Sequence, residues 1–163
     1  MSEEQPGITR DSVVTLREVT EDTVRAICDL SKTLTDAQRT HVADNAVSIA
    51  QAHFSKYAWF RAIYADETPV GFLMLYIGPD DEQPGNPTVW FLWRLMVAAP
   101  YQKFGYGRRA LDQVFAIVRE QGATELGTSC VPGPDGPEGF YRRLGFAPNG
   151  KFEDGEMVMV LKL

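Results

Sequence analysis

The chain is poor in cysteine, histidine, long apolar runs and positive charge, and each shortage removes a class of function. Two cysteines, Cys28 and Cys130, cannot build the disulfide framework of a small secreted domain. The two histidines, His41 and His53, lie 12 positions apart. On one expected helix they point in different directions, which is not metal-ligand spacing, so no metal is expected. No apolar run reaches the about 20 residues of a membrane-spanning helix. The opening Met1–Asp11 is polar and lacks the apolar segment of a secretory leader. A cytoplasmic setting with no membrane partner is therefore expected. Lys and Arg number 16 against 22 Asp and Glu, for a formal net charge of −6. Without a basic stripe to neutralise phosphates, nucleic acid is not an expected partner. The acidic balance is compatible with a cationic small molecule.

What is present suits one globular domain. The chain has 163 residues, 44% of them apolar, enough for a single core. Residues 1–11 are expected to be disordered and 12–163 to form the domain. Val13–Val19 alternates as a strand, and Thr20 is placed to cap a first helix. Thr35-Asp36-Ala37-Gln38 reads as a capping box. It is expected to open a second helix whose stripe is Ala43, Ala46, Val47, Ala50 and Phe54. Ala58–Tyr64 and Val70–Ile77 read as strands of a hairpin turning at Asp66–Pro69. After the acidic loop Gly78–Pro87, Val89–Val97 is apolar on both faces except at Arg94, the mark of a central strand. A helix follows from about Gly107 to Arg119, with Leu111, Val114, Phe115 and Val118 on its core face and Arg108 and Asp112 placed to pair. Glu125–Cys130 and Met157–Leu163 supply further strands. A short helix between them carries Tyr141.

The segment richest in chemistry is Tyr101-Gln102-Lys103-Phe104-Gly105-Tyr106-Gly107-Arg108-Arg109-Ala110. It joins a strand to a helix start. The first turn of a helix offers unpaired N–H donors and partial positive charge. Gly105 and Gly107 let a ligand approach the main chain closely, while Lys103 and Arg108 add cationic side chains. The pattern suits a pyrophosphate. It is not G-x-x-x-x-G-K-[ST], nor G-x-G-x-x-G with an acidic residue at the end of a second parallel strand. What remains is Q-x-x-G-x-G. About 30 residues later comes Gly139-Phe140-Tyr141-Arg142-Arg143-Leu144-Gly145-Phe146, a Y-x-x-x-G-F signature.

In order and spacing these two motifs resemble those of the GNAT superfamily of N-acetyltransferases, a likeness spanning about residues 13–163. Leu16–Thr20, Trp90–Arg94 and Asp154–Val158 add a less specific resemblance to the spermine/spermidine (polyamine) acetyltransferase group. The resemblance implies an α/β (α+β) fold. Its sheet would be mixed, mostly antiparallel and six- to seven-stranded, with about four helices and splayed central strands four and five. It implies acetyl-CoA as co-substrate and a small-molecule amine as acceptor. Leu95, Met96 and Val97 would offer main-chain groups to the pantetheine arm. Gln102, Lys103, Phe104, Gly105, Tyr106, Gly107 and Arg108 would form the pyrophosphate turn. Tyr141 would be the general acid toward the departing sulfur.

Two departures from the family pattern stand out. Trp90-Phe91-Leu92-Trp93 fills the stretch where some members carry a glutamate base. Pro134 stands where many carry an asparagine. Glu82 and Glu138 are the remaining candidates for a base acting through water. A ping-pong route through Cys130 would need a low-pKa thiolate and a neighbouring base. Asp80-Asp81-Glu82 could meet a polyamine, and Trp59, Trp90 and Trp93 could form a face for a cation. The acceptor that the resemblance and the net charge suggest is a polyamine or similar primary amine, attacked directly in a ternary complex; the alternatives are an aminoglycoside, an amino acid or a protein N-terminus, or a non-catalytic acyl-CoA-binding regulator. Exposed strand edges make a homodimer an open expectation.

Overall fold

The structure is a computed structural model and describes residues 7–163. Seven strands form one sheet in the order β1-β2-β3-β4-β5-β7-β6. They are β1 Val14–Arg17, β2 Ala58–Ala65, β3 Thr68–Pro79, β4 Thr88–Val97, β5 Glu125–Cys130, β6 Ala147–Glu153 and β7 Glu156–Lys162. Every pairing is antiparallel except β4 with β5. Five α-helices accompany the sheet, one more than expected: α1 Val24–Asp29, α2 Asp36–Arg39, α3 Asn45–His53, α4 Tyr106–Glu120 and α5 Glu138–Arg143. The hairpins β2–β3 and β6–β7 turn at Asp66-Glu67 and Asp154-Gly155, where Asp66, Asp154 and Gly155 have positive φ. Strand β6, which the sequence does not announce, is exposed along its whole length, so no apolar alternation marks it.

β3 lies between two cores, and its alternation shows why. Leu73 and Leu75 point to one face, into a cluster with Leu92, Leu111, Val114 and Val118 of β4 and α4. Phe72 and Met74 point to the other, against Ile27, Leu30, Leu34 and Met96. The period of two places alternate side chains on opposite faces, so a strand covered on both sides is apolar throughout.

The second helix departs from expectation. The capping box forms: the Thr35 hydroxyl accepts from the Gln38 N–H at 3.2 Å, and Gln38 Oε1 accepts from the Thr35 N–H at 3.1 Å. Yet α2 ends at Arg39, and a separate helix restarts at Asn45. The two most deeply buried residues of α3 are polar, Asn45 and Ser48, with Ile49 and Ala52 packed beside them. The Asn45 N–H donates to Ser31 Oγ at 2.9 Å and its side-chain amide to the Ile27 carbonyl at 2.8 Å. These bonds fix the rotation of α3 and turn the expected stripe outward, leaving Val47 49% and Phe54 87% exposed. His41 falls in the connection between α2 and α3 rather than on a helix shared with His53.

Two irregularities shape the centre of the sheet. On β4, Arg94 pairs with Met74 and Leu92 with Leu75, so Trp93 is an extra residue in a bulge. Trp93 packs with the α1 cluster, and Arg94 reaches Gln51 of α3, so both leave the strand on the same face. Next, β4 and β5 pair only at Phe91–Gly127 and Leu92–Thr128. The Thr128 hydroxyl donates to the Leu92 carbonyl at 3.1 Å, and beyond it the two strands part. The expected splay of strands four and five is present.

The described part of the N-terminal segment is tied down: the Thr9 and Arg10 carbonyls accept from Tyr106 and Arg109 of α4. The expectation for residues 1–6 lies outside the described residues. Among the described residues no helix is long and apolar enough to cross a membrane.

Candidate active site

Where β4 and β5 diverge, a cleft of about 1080 Å³ opens. Its first end is made by the link from β4 to α4. A 3₁₀ turn, Ala99–Tyr101, leads to Gln102, then Lys103 at φ 68° and Gly105 at φ 81°. Only glycine takes the latter conformation without strain. Gly105 is the N-cap of α4, and no side chain caps the helix. Arg109 supplies the first N–H to reach the Gly105 carbonyl, at 3.1 Å. The N–H groups of Tyr106, Gly107 and Arg108 therefore have no helical acceptor. A Cβ on Gly107 would touch Val97 at 3.6 Å and Phe140 at 3.7 Å, whereas one on Gly105 would meet nothing within 4 Å, so the space over Gly105 is open.

Side chains brace this turn from behind. The Gln102 amide donates to the Val97 carbonyl at 2.9 Å and accepts from Gln38 at 3.0 Å, tying the turn to β4 and α2. Tyr106 is buried; its hydroxyl donates to the Thr9 carbonyl at 2.6 Å and its ring stacks on Phe104 at 5.5 Å. Lys103 and Arg108 are exposed. The expected Arg108–Asp112 ion pair is not formed among the described residues, which leaves that guanidinium free at the helix start. Leu95, Met96 and Val97 line the cleft on the edge of β4 that has parted from β5. Of their carbonyls, that of Val97 is taken by Gln102.

Tyr141 lies in the cleft wall, only 6% exposed, packed between Phe140 and Phe146 with ring centroids 5.4 Å from each. Burial pushes its phenol up to about 12, with the Thr128 hydroxyl pulling the other way. It is thus a neutral hydroxyl with a proton to give at any physiological pH.

The second end of the cleft holds residues that the sequence motifs do not assign. Asp135, Glu153, Asp154 and Glu156 all line it. Ser129 Oγ donates to Glu156 Oε2 at 3.0 Å. Met157, Met159 and Leu161 of β7 belong to the α4 cluster, so Glu156 points to the opposite face, the one that receives Trp93 and Arg94. Arg94 is half-buried, bonded to the Trp93 carbonyl and Gln51, and its Nε has no partner. His41 meets Gly136 across this end: a Cβ on Gly136 would stand 2.9 Å from the imidazole. Alternation along β7 is the available signal for Glu156, but it requires knowing which face opens onto the cleft.

Several expectations are corrected. Glu82 is an exposed loop residue outside the cleft lining. Glu138 is held by Arg142 at 2.9 Å and by the Gly133 N–H at 3.3 Å, which keep its carboxyl below the usual range; it does not line the cleft. The loop Asp80-Asp81-Glu82 precedes β4, whereas the cleft follows its far half. Of the three tryptophans, Trp93 lines the cleft, while Trp59 and Trp90 pack at the edge of the α4 core. Cys130 is buried, and burial pushes its thiol up, the reverse of a nucleophile's needs. Pro134 is exposed and outside the cleft lining, whereas Arg143 of α5 lines it. No cluster able to hold a metal occurs among the described residues.

This fold is shared with known proteins. The model of the "Acetyltransferase (GNAT) family" matches residues 24–146. The chain belongs to this family and is an N-acetyltransferase by class. It is 28% identical, over 92% of its length and 99% of the relative's, to the spermine/spermidine N(1)-acetyltransferase of Bacillus subtilis (strain 168). It is 33% identical to the L-2,4-diaminobutyric acid acetyltransferase of Streptomyces avermitilis, but over 47% of this chain and 41% of that protein. Among solved structures, the PaiA N-acetyltransferase of Thermoplasma acidophilum, in complex with coenzyme A, superposes with a TM-score of 0.68 at 15% identity, covering 93% of this chain and 99% of that one.

Proposed function

We propose that this protein transfers the acetyl group of acetyl-CoA to a primary amine of a linear polyamine by direct attack in a ternary complex. The observation that carries the reading is the mixed lining of one cleft, which holds unpaired helix N–H groups with Lys103 and Arg108 and also four carboxylates. The first set suits the pyrophosphate of the co-substrate and the second a cation. The edge of β4 that has parted from β5, over Leu95, Met96 and Val97, would run beside the pantetheine arm. Arg143, which lines the cleft on α5, would supply a donor where Pro134 supplies none. Similarity to the Bacillus subtilis polyamine enzyme along nearly the whole chain supports the acceptor class.

In this reading the acceptor nitrogen attacks the thioester carbonyl, the C–N bond forms and the C–S bond breaks. Tyr141 gives its phenolic proton to the departing sulfur. The phenol is restored by a proton from the new amide nitrogen. Cys130, buried and protonated, forms no acyl intermediate.

One observation favours a second acceptor. Arg94, a half-buried cation in the acidic half of the cleft with an unpartnered Nε, would suit an amine that also carries a carboxylate, such as a diamino acid. Acetyl-CoA-dependent thiol release against polyamines, diamino acids and aminoglycosides separates the readings. We expect kcat/KM to be highest with a polyamine. A diamino acid preferred by more than tenfold would replace the polyamine. Calorimetric binding of acetyl-CoA with no turnover on any amine would favour a regulator.

A further inference from the structure

We infer that Glu156, held by Ser129, is the carboxylate that binds the acceptor ammonium and through which its proton leaves. The inference rests on the proposed function and supplies the group that reading lacks. β4 presents no carboxylate to the cleft: its lining residues from Phe91 to Val97 are apolar apart from Arg94. The face onto which the bulge turns Trp93 and Arg94 instead receives a carboxylate from β7. Two features separate Glu156 from the other acidic residues of the cleft. It is fixed, because Ser129 Oγ, at the end of β5 just past the splay, donates to its Oε2 at 3.0 Å. It also lies close enough to the reacting end for its charge to act on Tyr141 of α5 and Cys130 of β5, as well as on Arg94 of β4. Glu153, its partner across the β6–β7 hairpin, is exposed. Oε1 of Glu156 remains for the substrate.

The proton balance closes with these residues. An acceptor ammonium loses one proton to Glu156, directly or through a water, and Glu156 passes it to solvent. The neutral amine attacks; its second departing proton replaces the one Tyr141 gave to sulfur. Leaving water for the cleft lowers the ammonium's own affinity for its proton, which works against the pull of the neighbouring carboxylates. Ser129 is a positioning residue, acting through Glu156.

The test uses the full chain with the preferred amine. Glu156→Gln keeps the shape and removes the charge. At pH 7.5 we expect kcat/KM for the amine to fall about 100-fold, with the calorimetric Kd of coenzyme A within twofold of the parent. The deficit should shrink to under about tenfold at pH 10, where roughly a quarter of the amine in solution is already neutral. Ser129→Ala should lose about tenfold, chiefly in KM for the amine, and Ser129→Thr should restore it. If Glu156→Gln does not fold, the Ser129 pair decides: equal activity of Ser129→Ala and parent overturns the assignment. So does a Glu156→Gln enzyme that is as active as the parent at pH 7.5, or one whose deficit is unchanged at pH 10. A parent enzyme that binds acetyl-CoA yet acetylates no amine overturns the proposed function itself, and this assignment with it.

Discussion

One set of polar groups in the cleft belongs to the main chain; another belongs to side chains. The first lies on a run of consecutive residues, Gln102 to Arg108, whose donors are N–H groups aimed by the left-handed turn at Gly105. The second gathers Arg94 from β4, Ser129 from β5, Asp135 from a loop and Glu156 from β7. Backbone donors carry no titrating charge and survive most side-chain substitutions, so the first end suits a ligand that stays the same. Side chains from several strands change one at a time, so the second end suits one that varies between relatives. Tyr141 sits on the wall of the same cleft, and the changes that disturb it should separate the two ends most sharply.

Tyr141→Phe carries the largest effect predicted for a single variant. Removing the proton donor should lower kcat about 10²- to 10⁴-fold and leave coenzyme A affinity near the parent's, as measured by steady-state kinetics and calorimetry. The pH dependence has a definite sign. In the proposed mechanism the acid form of the phenol is needed, and it is lost as pH rises through a value that burial has pushed up to about 12. Parent kcat should therefore show no alkaline fall from this group below about pH 11. A fall near pH 9 that vanishes in Tyr141→Phe would show the phenol to be far less shielded than the fold implies.

The same comparison explains what the sequence makes legible. The first end is local: glycines, a strand pattern before and a helix pattern after lie within about 30 residues, so chain order alone predicts the turn. α4 is equally legible, because Leu111, Val114, Phe115 and Val118 are the buried face that their spacing predicts. The acceptor end depends on which face of β4 and β7 opens onto the cleft. The bulge at Trp93 sets that face on β4, and no residue type announces it. α3 shows the same limit. Its apolar residues suggest a core stripe, but Asn45, bonded to Ser31 and Ile27, imposes the opposite rotation. Glu138, a candidate base in the sequence, is bound one helical turn away by Arg142 and does not line the cleft.

Gly105→Val tests the main-chain end. The position has φ 81°, and a Cβ added there would meet no atom within 4 Å, so crowding inside the protein is not the problem. The cost is backbone strain, about 1–2 kcal/mol for a non-glycine residue in the left-handed region, read as a lower midpoint in urea unfolding. If the chain relieves the strain by moving the turn, the N–H groups lose their aim. Coenzyme A affinity should then fall by more than the stability does, while the preference among amines stays unchanged. A variant that instead alters amine preference would show that the two ends are not independent.

Arg108→Ala should have the smallest effect, and its smallness is informative. The guanidinium is exposed and makes no ion pair with Asp112, so its removal should leave the unfolding midpoint unchanged. Its contribution to an anion at the helix start is a screened surface charge, worth less than about 1 kcal/mol. Coenzyme A affinity should weaken less than about fivefold at low salt, and the difference from the parent should fade as ionic strength rises. The unpaired N–H groups of Tyr106, Gly107 and Arg108 persist in this variant, because they belong to the backbone. A loss of a hundredfold or more that is indifferent to salt would mean that a side chain, rather than the main chain, holds this end of the cleft.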